Sequence, residues 1–332
     1  MTETTAAPPA NPLGGPAADP AAPAVPGPNL IARFHAASGL AKLGVGAVIA
    51  IPVICLLAIV VTGILAPDAE RPPIFFASLV AILAGLSSTA IGVYGGVLVP
   101  GLLLIRPPID PLFAAAISLF LQVLVIPIGA GTHYRLGNFS RRLALPLIIG
   151  GMAGSFIGPF VSGYLRGAAI LSKDDIARIV AGMIVFVGLL VLTTLRMGRL
   201  GSVRDESDVP FARISGIGGV AGFASGISGA GWGPIGVKLL ILSRIDPRQA
   251  IGSSLFARVF MASAAVLAYI ISASAFKGIV ADWWLVVPLL AGSIAPMIPG
   301  AFLVSRMGRE RATIGITLLS ISLALPTLIF GH

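Results

Sequence analysis

Nine runs of apolar sequence organise this chain, at roughly residues 43–65, 75–105, 111–132, 143–165, 176–195, 214–243, 249–272, 284–304 and 312–330. Most are free of charge for about 20 residues, the length a helix needs to cross ~30 Å of hydrocarbon. A bilayer offers the backbone no water, so such a chain folds into helices that satisfy their own N–H and C=O groups. Of its 332 residues, 56% are hydrophobic and 11% are charged, against about 25% charged in an ordinary soluble domain. The expected fold class is all-α, a polytopic membrane helix bundle. A soluble enzyme, a disordered scaffold and a disulfide-stapled secreted domain are excluded.

Lys and Arg number 22 against 13 Asp and Glu, a formal net charge of +9. In a soluble domain that balance points to nucleic acid. Here the basic residues fall almost entirely in short loops between apolar runs. They read as topology-setting charge on the cytoplasmic side of a multi-pass cell-membrane protein, with lipid and no nucleic acid as partner. The single cysteine, Cys55, lies within the first run and reads as packing, because one thiol forms neither an internal disulfide nor a metal site. No metal or cofactor is expected. Residues 1–38 read as a disordered Ala/Pro-rich tail. Its first 30 residues hold eight Pro, eight Ala and no Lys or Arg, too little large apolar surface to offset ordering entropy. An extra transmembrane helix is expected at 39–66.

The second and sixth runs are about 30 residues long, more than one span requires. Each is rich in glycine. One reads Gly85-Leu-Ser-Ser-Thr-Ala-Ile-Gly92-Val-Tyr-Gly95-Gly96 and the other Gly222-Phe-Ala-Ser-Gly226-Ile-Ser-Gly229-Ala-Gly231-Trp-Gly233-Pro234. Glycine at this density weakens a helix and Pro234 removes a backbone donor, so each run is expected to hold two half-helices joined by unwound backbone. The two regions also resemble each other. Residues 84–120 align with 221–256 with one gap and fourteen identities, among them Gly92 with Gly229, Gly96 with Gly233, and Ile109-Asp110-Pro111 with Ile245-Asp246-Pro247. The chain therefore reads as two four-segment repeats, 75–195 and 213–331, each with a broken or re-entrant helix. Paired glycine-interrupted segments are a sequence pointer to a transporter binding site.

Loop charge bears on how the repeats are oriented. If all nine runs cross, 11 loop Lys and Arg fall inside and 9 outside; if the two broken runs are re-entrant, the repeats are inverted and the division becomes 14 and 6. The positive-inside rule favours the inverted arrangement.

Two basic residues, Lys238 and Arg258, lie well within apolar runs, and no Asp or Glu lies deep enough to pair with them. Arg258 is ten residues past Arg248, ~15 Å along a helix and so near the midplane. A midplane guanidinium without a carboxylate invites an anionic ligand; the alternative is that it bonds carbonyls freed by the broken helices. Lys238 either joins that site or extends its stem to the interface. Arg258 aligns with Gln122, which supplies donors and an acceptor without charge. Half-helix N-termini around Gly92, Gly95, Gly96, Gly226, Gly229, Gly231 and Gly233 offer N–H groups to an oxyanion. Ser88, Thr89, Ser225, Ser228 and Ser254 offer hydroxyls, though small polar residues are also routine at membrane helix contacts. Tyr94 and Trp232 either line the pocket or fill space beside glycine. Asp110 and Asp246, each before a proline, read as helix N-caps.

The doubled pattern of a Gly/Ser-rich run, an apolar half-helix, an Asp-Pro turn and an Ala/Ser-Leu helix resembles the TauE/SafE family of sulfite and organosulfonate permeases. The carrying stretches are Ala84–Phe120 and Ala221–Phe256, and the resemblance extends over about residues 75–330. It implies a multi-pass cytoplasmic-membrane transporter, usually an exporter, for small sulfur-containing anions. The chain departs from the usual form at Ala90-Ile-Gly92-Val-Tyr94 and by placing Trp232 within the second cluster. Enzymatic function is not expected. Gly226-Ile-Ser228-Gly229 matches Gly-x-Ser-Gly, but intramembrane proteolysis needs a nearby base, and His35, His133 and His332 lie outside or at the ends of the runs. A gated channel and a non-transporting membrane assembly protein stay as alternatives.

Overall fold

In a computed structural model the described residues are 39–67, 71–105, 111–197, 205, 208–272 and 283–330. The tail 1–38 and Asp110 lie outside them. The chain divides into two compact units, Met1–Ala47 and Val48–His332, and every helix after the first belongs wholly to the second. Among the described residues there are twelve α-helices and no strand. They are α1 (Gly39–Leu65), α2 (Arg71–Ile91), α3 (Gly95–Ile105), α4 (Pro111–Arg135), α5 (Arg141–Gly167), α6 (Lys173–Arg196), α7 (Phe211–Ser228), α8 (Lys238–Leu242), α9 (Pro247–Ile271), α10 (Trp283–Ile294), α11 (Met297–Arg306) and α12 (Arg309–Phe330). A π-helical stretch, Trp232–Val237, runs directly into α8.

Six stretches are long and apolar enough to cross a membrane: Pro73–Ile91, Leu112–Arg135, Arg141–Gly167, Arg178–Arg196, Pro247–Ile271 and Trp284–Leu303. The outward faces are apolar, with Ile54, Leu65, Phe186 and Ile329 more than half exposed, while Ser88, Thr89, Gln122, His133, Lys238, Ser253 and Arg258 are buried. That inversion of the soluble pattern suits a protein whose solvent is lipid.

Both expected helix breaks are present. α2 stops at Gly92 and α3 starts at Gly95; α7 stops at Gly229 and the π-helical stretch starts at Trp232. Gly92 and Gly229 have φ of 78° and 68°, the left-handed region where a Cβ is strained. Each donates its N–H to the carbonyl four residues back, Ser88 at 2.9 Å and Ser225 at 2.6 Å, the αL form of helix termination. Each second half folds back along the first. A Cβ on Gly101 would overlap the Val80 side chain, and one on Gly236 would meet Ala221 Cβ at 3.0 Å. A third break, which the sequence did not signal, separates α10 from α11 at Ala295-Pro296, where proline supplies no N–H.

The broken helices pack across the molecule. α7 lies on α5, and α2 lies on α10 and α11. Glycine brings the backbones into contact: a Cβ on Gly154 would overlap the Gly219 carbonyl oxygen, and one on Gly85 that of Ser293. α4 packs on α9 and α6 on α12. The start of α6 is fixed by a capping box in which Ser172 Oγ accepts from Asp175 N–H, while Asp175 accepts from Ser172 N–H at 2.9 Å. Asp246 N-caps α9 and accepts from Arg248 N–H at 2.8 Å, with Pro247 at the first helical position, as the sequence led us to expect.

Candidate functional site

The two breaks meet. A Cβ on Gly95 would overlap the Gly229 carbonyl oxygen, and one on Gly233 would overlap that of Gly92. Each left-handed glycine thus turns its carbonyl onto a glycine at the start of the opposite segment's second half. Only a residue without a side chain allows that approach.

Terminating a helix leaves carbonyls without intrahelical donors, and α4 and α9 supply what is missing. Arg258, eleven residues after the proline that starts α9, donates from Nη2 to the Gly92 carbonyl at 2.8 Å and approaches Ser88 Oγ with Nη1 at 3.5 Å. Gln122, eleven residues after the proline that starts α4, approaches the Gly229 carbonyl with Nε2 at 3.5 Å, and Ser118 Oγ donates to the same oxygen at 3.2 Å. The same correspondence recurs further along. His133, 22 residues after Pro111, bonds the Thr89 carbonyl through Nε2 at 2.9 Å. Tyr269, 22 residues after Pro247, donates its hydroxyl to the Gly226 carbonyl at 2.9 Å. Aligned positions therefore do aligned work, with different chemistry in each half.

The His133 ring is in a defined tautomer. The Thr89 carbonyl can only accept, so Nε2 carries the proton; Nδ1 then accepts from Asn138 Nδ2 at 3.2 Å, which also donates to Ser305 Oγ at 3.2 Å. His133 is at a segment end, as expected, yet faces inward with none of its surface exposed. Sequence reasoning missed it and Tyr269 as site residues. His and Tyr share neither identity nor charge, so alignment raised no signal; equal spacing from Pro111 and Pro247 was the available clue.

Arg258 is 3% exposed and Trp232 is 2% exposed. Among the described residues, Arg258 Nε and Trp232 Nε1 are the buried side-chain N–H groups with no hydrogen-bond partner. Neither atom can accept, so what is missing at each is an acceptor.

The other expected site residues divide. Ser88 lies with Arg258. Thr89 is buried and turns its hydroxyl to the Gly85 carbonyl at 3.3 Å. Ser254 bonds Ile251 O at 3.0 Å, within its own helix. Ser228 donates to Ala224 O at 2.8 Å and accepts from Ala230 N–H at 3.2 Å, so it serves the break itself. Ser225 and Gly226 are buried in α7, Gly226 against Ser155 and Pro159 of α5, while Gly231 and Gly96 lie within the two junctions. Tyr94 points at α10 and pairs with Ser293 Oγ at 2.8 Å. Lys238 does not extend to the interface. It is fully buried, and its Nζ donates to Ile184 O on α6 at 3.1 Å, beside Gly188, apart from the Arg258 cluster. No group of three or more His, Cys, Asp or Glu that would hold a metal is present among the described residues.

The chain is similar to the probable membrane transporter protein YtnM of Bacillus subtilis, 27% identical over 235 residues, covering 69% of this chain and 74% of that protein. A probable membrane transporter protein of Haemophilus influenzae is 29% identical over 205 residues, covering 58% and 72%. YdhB of Bacillus subtilis, also called a probable membrane transporter protein, is 28% identical over 227 residues, covering 67% and 87%. No solved structure matches. Residues 77–326 match the family described as "Sulfite exporter TauE/SafE", and the chain belongs to that family.

Proposed function

We propose that this membrane transporter carries small sulfur-containing oxyanions, such as sulfite or organosulfonates, across the cytoplasmic membrane by alternating access at the junction of the two broken helices. One observation carries the reading. Arg258 and Gln122 stand at aligned positions and each serves the carbonyl of a left-handed glycine. Neutral donors, Gln122 together with Ser118, are sufficient for that structural work at Gly229, so the charge of Arg258 is surplus to it. Burying a guanidinium near the membrane midplane costs about 2.5–3.5 kcal/mol on insertion scales. An anion that binds there offsets the cost, and Arg258 Nε–H supplies a donor aimed at it. The Ser88 hydroxyl lies beside Arg258 as a neutral group, and Trp232, at the start of the π-helical stretch, has an Nε1–H that likewise lacks an acceptor. The family match supports sulfur oxyanions as the class.

The repeats 75–195 and 213–331 are taken as inverted copies. The fold-back of α3 on α2 and of the π-helical stretch on α7 supports this, because each broken segment then enters and leaves on one side and leaves three crossings per copy. One repeat moving against the other about the glycine junction exposes the site to either side.

The test is a binding and uptake screen with purified protein in liposomes, using sulfite, thiosulfate, alkyl sulfonates and carboxylates. Saturable uptake of a sulfur oxyanion supports the carrier, ohmic conductance points to a channel, and no flux of any anion overturns transport at this site.

A further inference from the structure

We propose that the cleft between the starts of α5 and α7 binds one anionic phospholipid. The cleft has a volume of about 520 Å³ and is lined by Arg141, Arg142, Leu145 and Pro146 from α5 and by Val209, Phe211 and Ile214 at the entry to α7. Its chemistry is split. Val209 and Ile214 are buried, Leu145 and Phe211 are about half exposed, and all four are apolar. Arg141 and Arg142 are exposed, as is Arg213 on the first turn of α7.

Neither helix neutralises these charges, because no acidic residue stands in the first turn of α5 or α7. Neither N-terminus is capped by a side chain: Ser140 makes no side-chain cap bond, and Pro210 has no group to offer. Asp205 and Asp208 on the approach to α7 are exposed and do not line the cleft.

The level of the cleft fixes the class of occupant. Beyond Arg142, α5 is free of charge until Arg166, and beyond Arg213, α7 is free of charge to its end. The cleft therefore straddles the boundary between polar surface and hydrocarbon. A free inorganic anion satisfies the arginines and leaves five apolar walls without a partner. A neutral chain satisfies the walls and leaves the charge. A phospholipid with net negative charge satisfies both, and basic pockets between membrane helices are a recurrent solution for such headgroups.

The experiment is native mass spectrometry of the full chain, delipidated in detergent and titrated with phosphatidylglycerol, with phosphatidylcholine of the same acyl chains, and with inorganic phosphate. One phosphatidylglycerol is expected to be retained in preference to phosphatidylcholine and not to be displaced by phosphate. Arg141→Gln with Arg142→Gln is expected to lower that retention about thirtyfold. If the double variant does not purify, either single variant is expected to give about a fivefold loss. Equal retention of the two lipids, displacement by phosphate alone, or unchanged retention in the variants overturns the proposal. Anion transport through the glycine junction is independent of this outcome.

Discussion

At the residue scale, the unlike pair Arg258 and Gln122 separates structure from function. Arg258→Gln places in one half the residue that already works in the other. The variant is therefore expected to fold and reach the membrane, while anion uptake falls about thirtyfold or more, the scale of removing one partner from a buried charged contact. Full uptake in that variant would falsify the anion site. His133 admits the same logic. Tyr stands at the aligned position and caps the aligned carbonyl, so His133→Tyr is expected to keep folded yield, whereas His133→Phe leaves the Thr89 carbonyl unpaired and costs about 1–3 kcal/mol. Thermal melting in detergent distinguishes the two, and equal loss in both would show that the ring itself, not the donor, is required. Arg258 was legible in the sequence because charge is scarce in apolar runs. His133 was not, since a histidine near a loop looks solvent-facing until α2 is seen to end against it. Nor was the direction in which Lys238 extends legible, because a four-carbon stem reaches an interface or a backbone carbonyl equally well.

At the element scale, the two breaks followed from glycine density and Pro234, and their positions fell where the left-handed residues are. What sequence could not supply was which carbonyl meets which glycine, a matter of tertiary approach rather than local propensity. Gly95→Ala and Gly233→Ala are each expected to abolish folded yield or lower it severely, because the added methyl overlaps opposing backbone, which cannot move aside as a side chain can. Gly163→Ala, which meets nothing within 4 Å, is expected to be silent. Fluorescence size-exclusion profiles of the three variants give the comparison, and a normal profile for Gly233→Ala would mean the junction is looser than described. The α6 capping box makes a smaller, pH-dependent contribution. The Ser172 hydroxyl and N–H hold the Asp175 carboxyl below its ordinary value. Its stabilisation is therefore present at neutral pH and disappears as pH falls through the lowered value. Asp175→Asn is expected to flatten that acid limb in a melting-against-pH series without changing the neutral melt beyond the scale of a surface cap.

At the scale of the whole molecule, the fold-back of α3 along α2 predicts that both ends of this segment lie on one face of the membrane. Single cysteines at Arg71 and Arg106, in a Cys55→Ser background, are expected to react with an impermeant maleimide from the same side. Labelling from opposite sides would overturn the inverted arrangement. The all-α class was legible because a bilayer leaves the backbone little choice. The exchange of partners, α7 on α5 and α2 on α10, was not, since it depends on contacts between distant parts of the chain. The unlike caps also bear on rest and motion. Two identical inverted halves would make the inward-open and outward-open shapes equal in free energy, each being the other with the halves exchanged. Guanidinium on one carbonyl and amide on the other removes that equality. On the alternating-access reading proposed above, the empty carrier therefore favours one side, and a bound anion, by drawing charge away from the Gly92 carbonyl, shifts the balance toward the other.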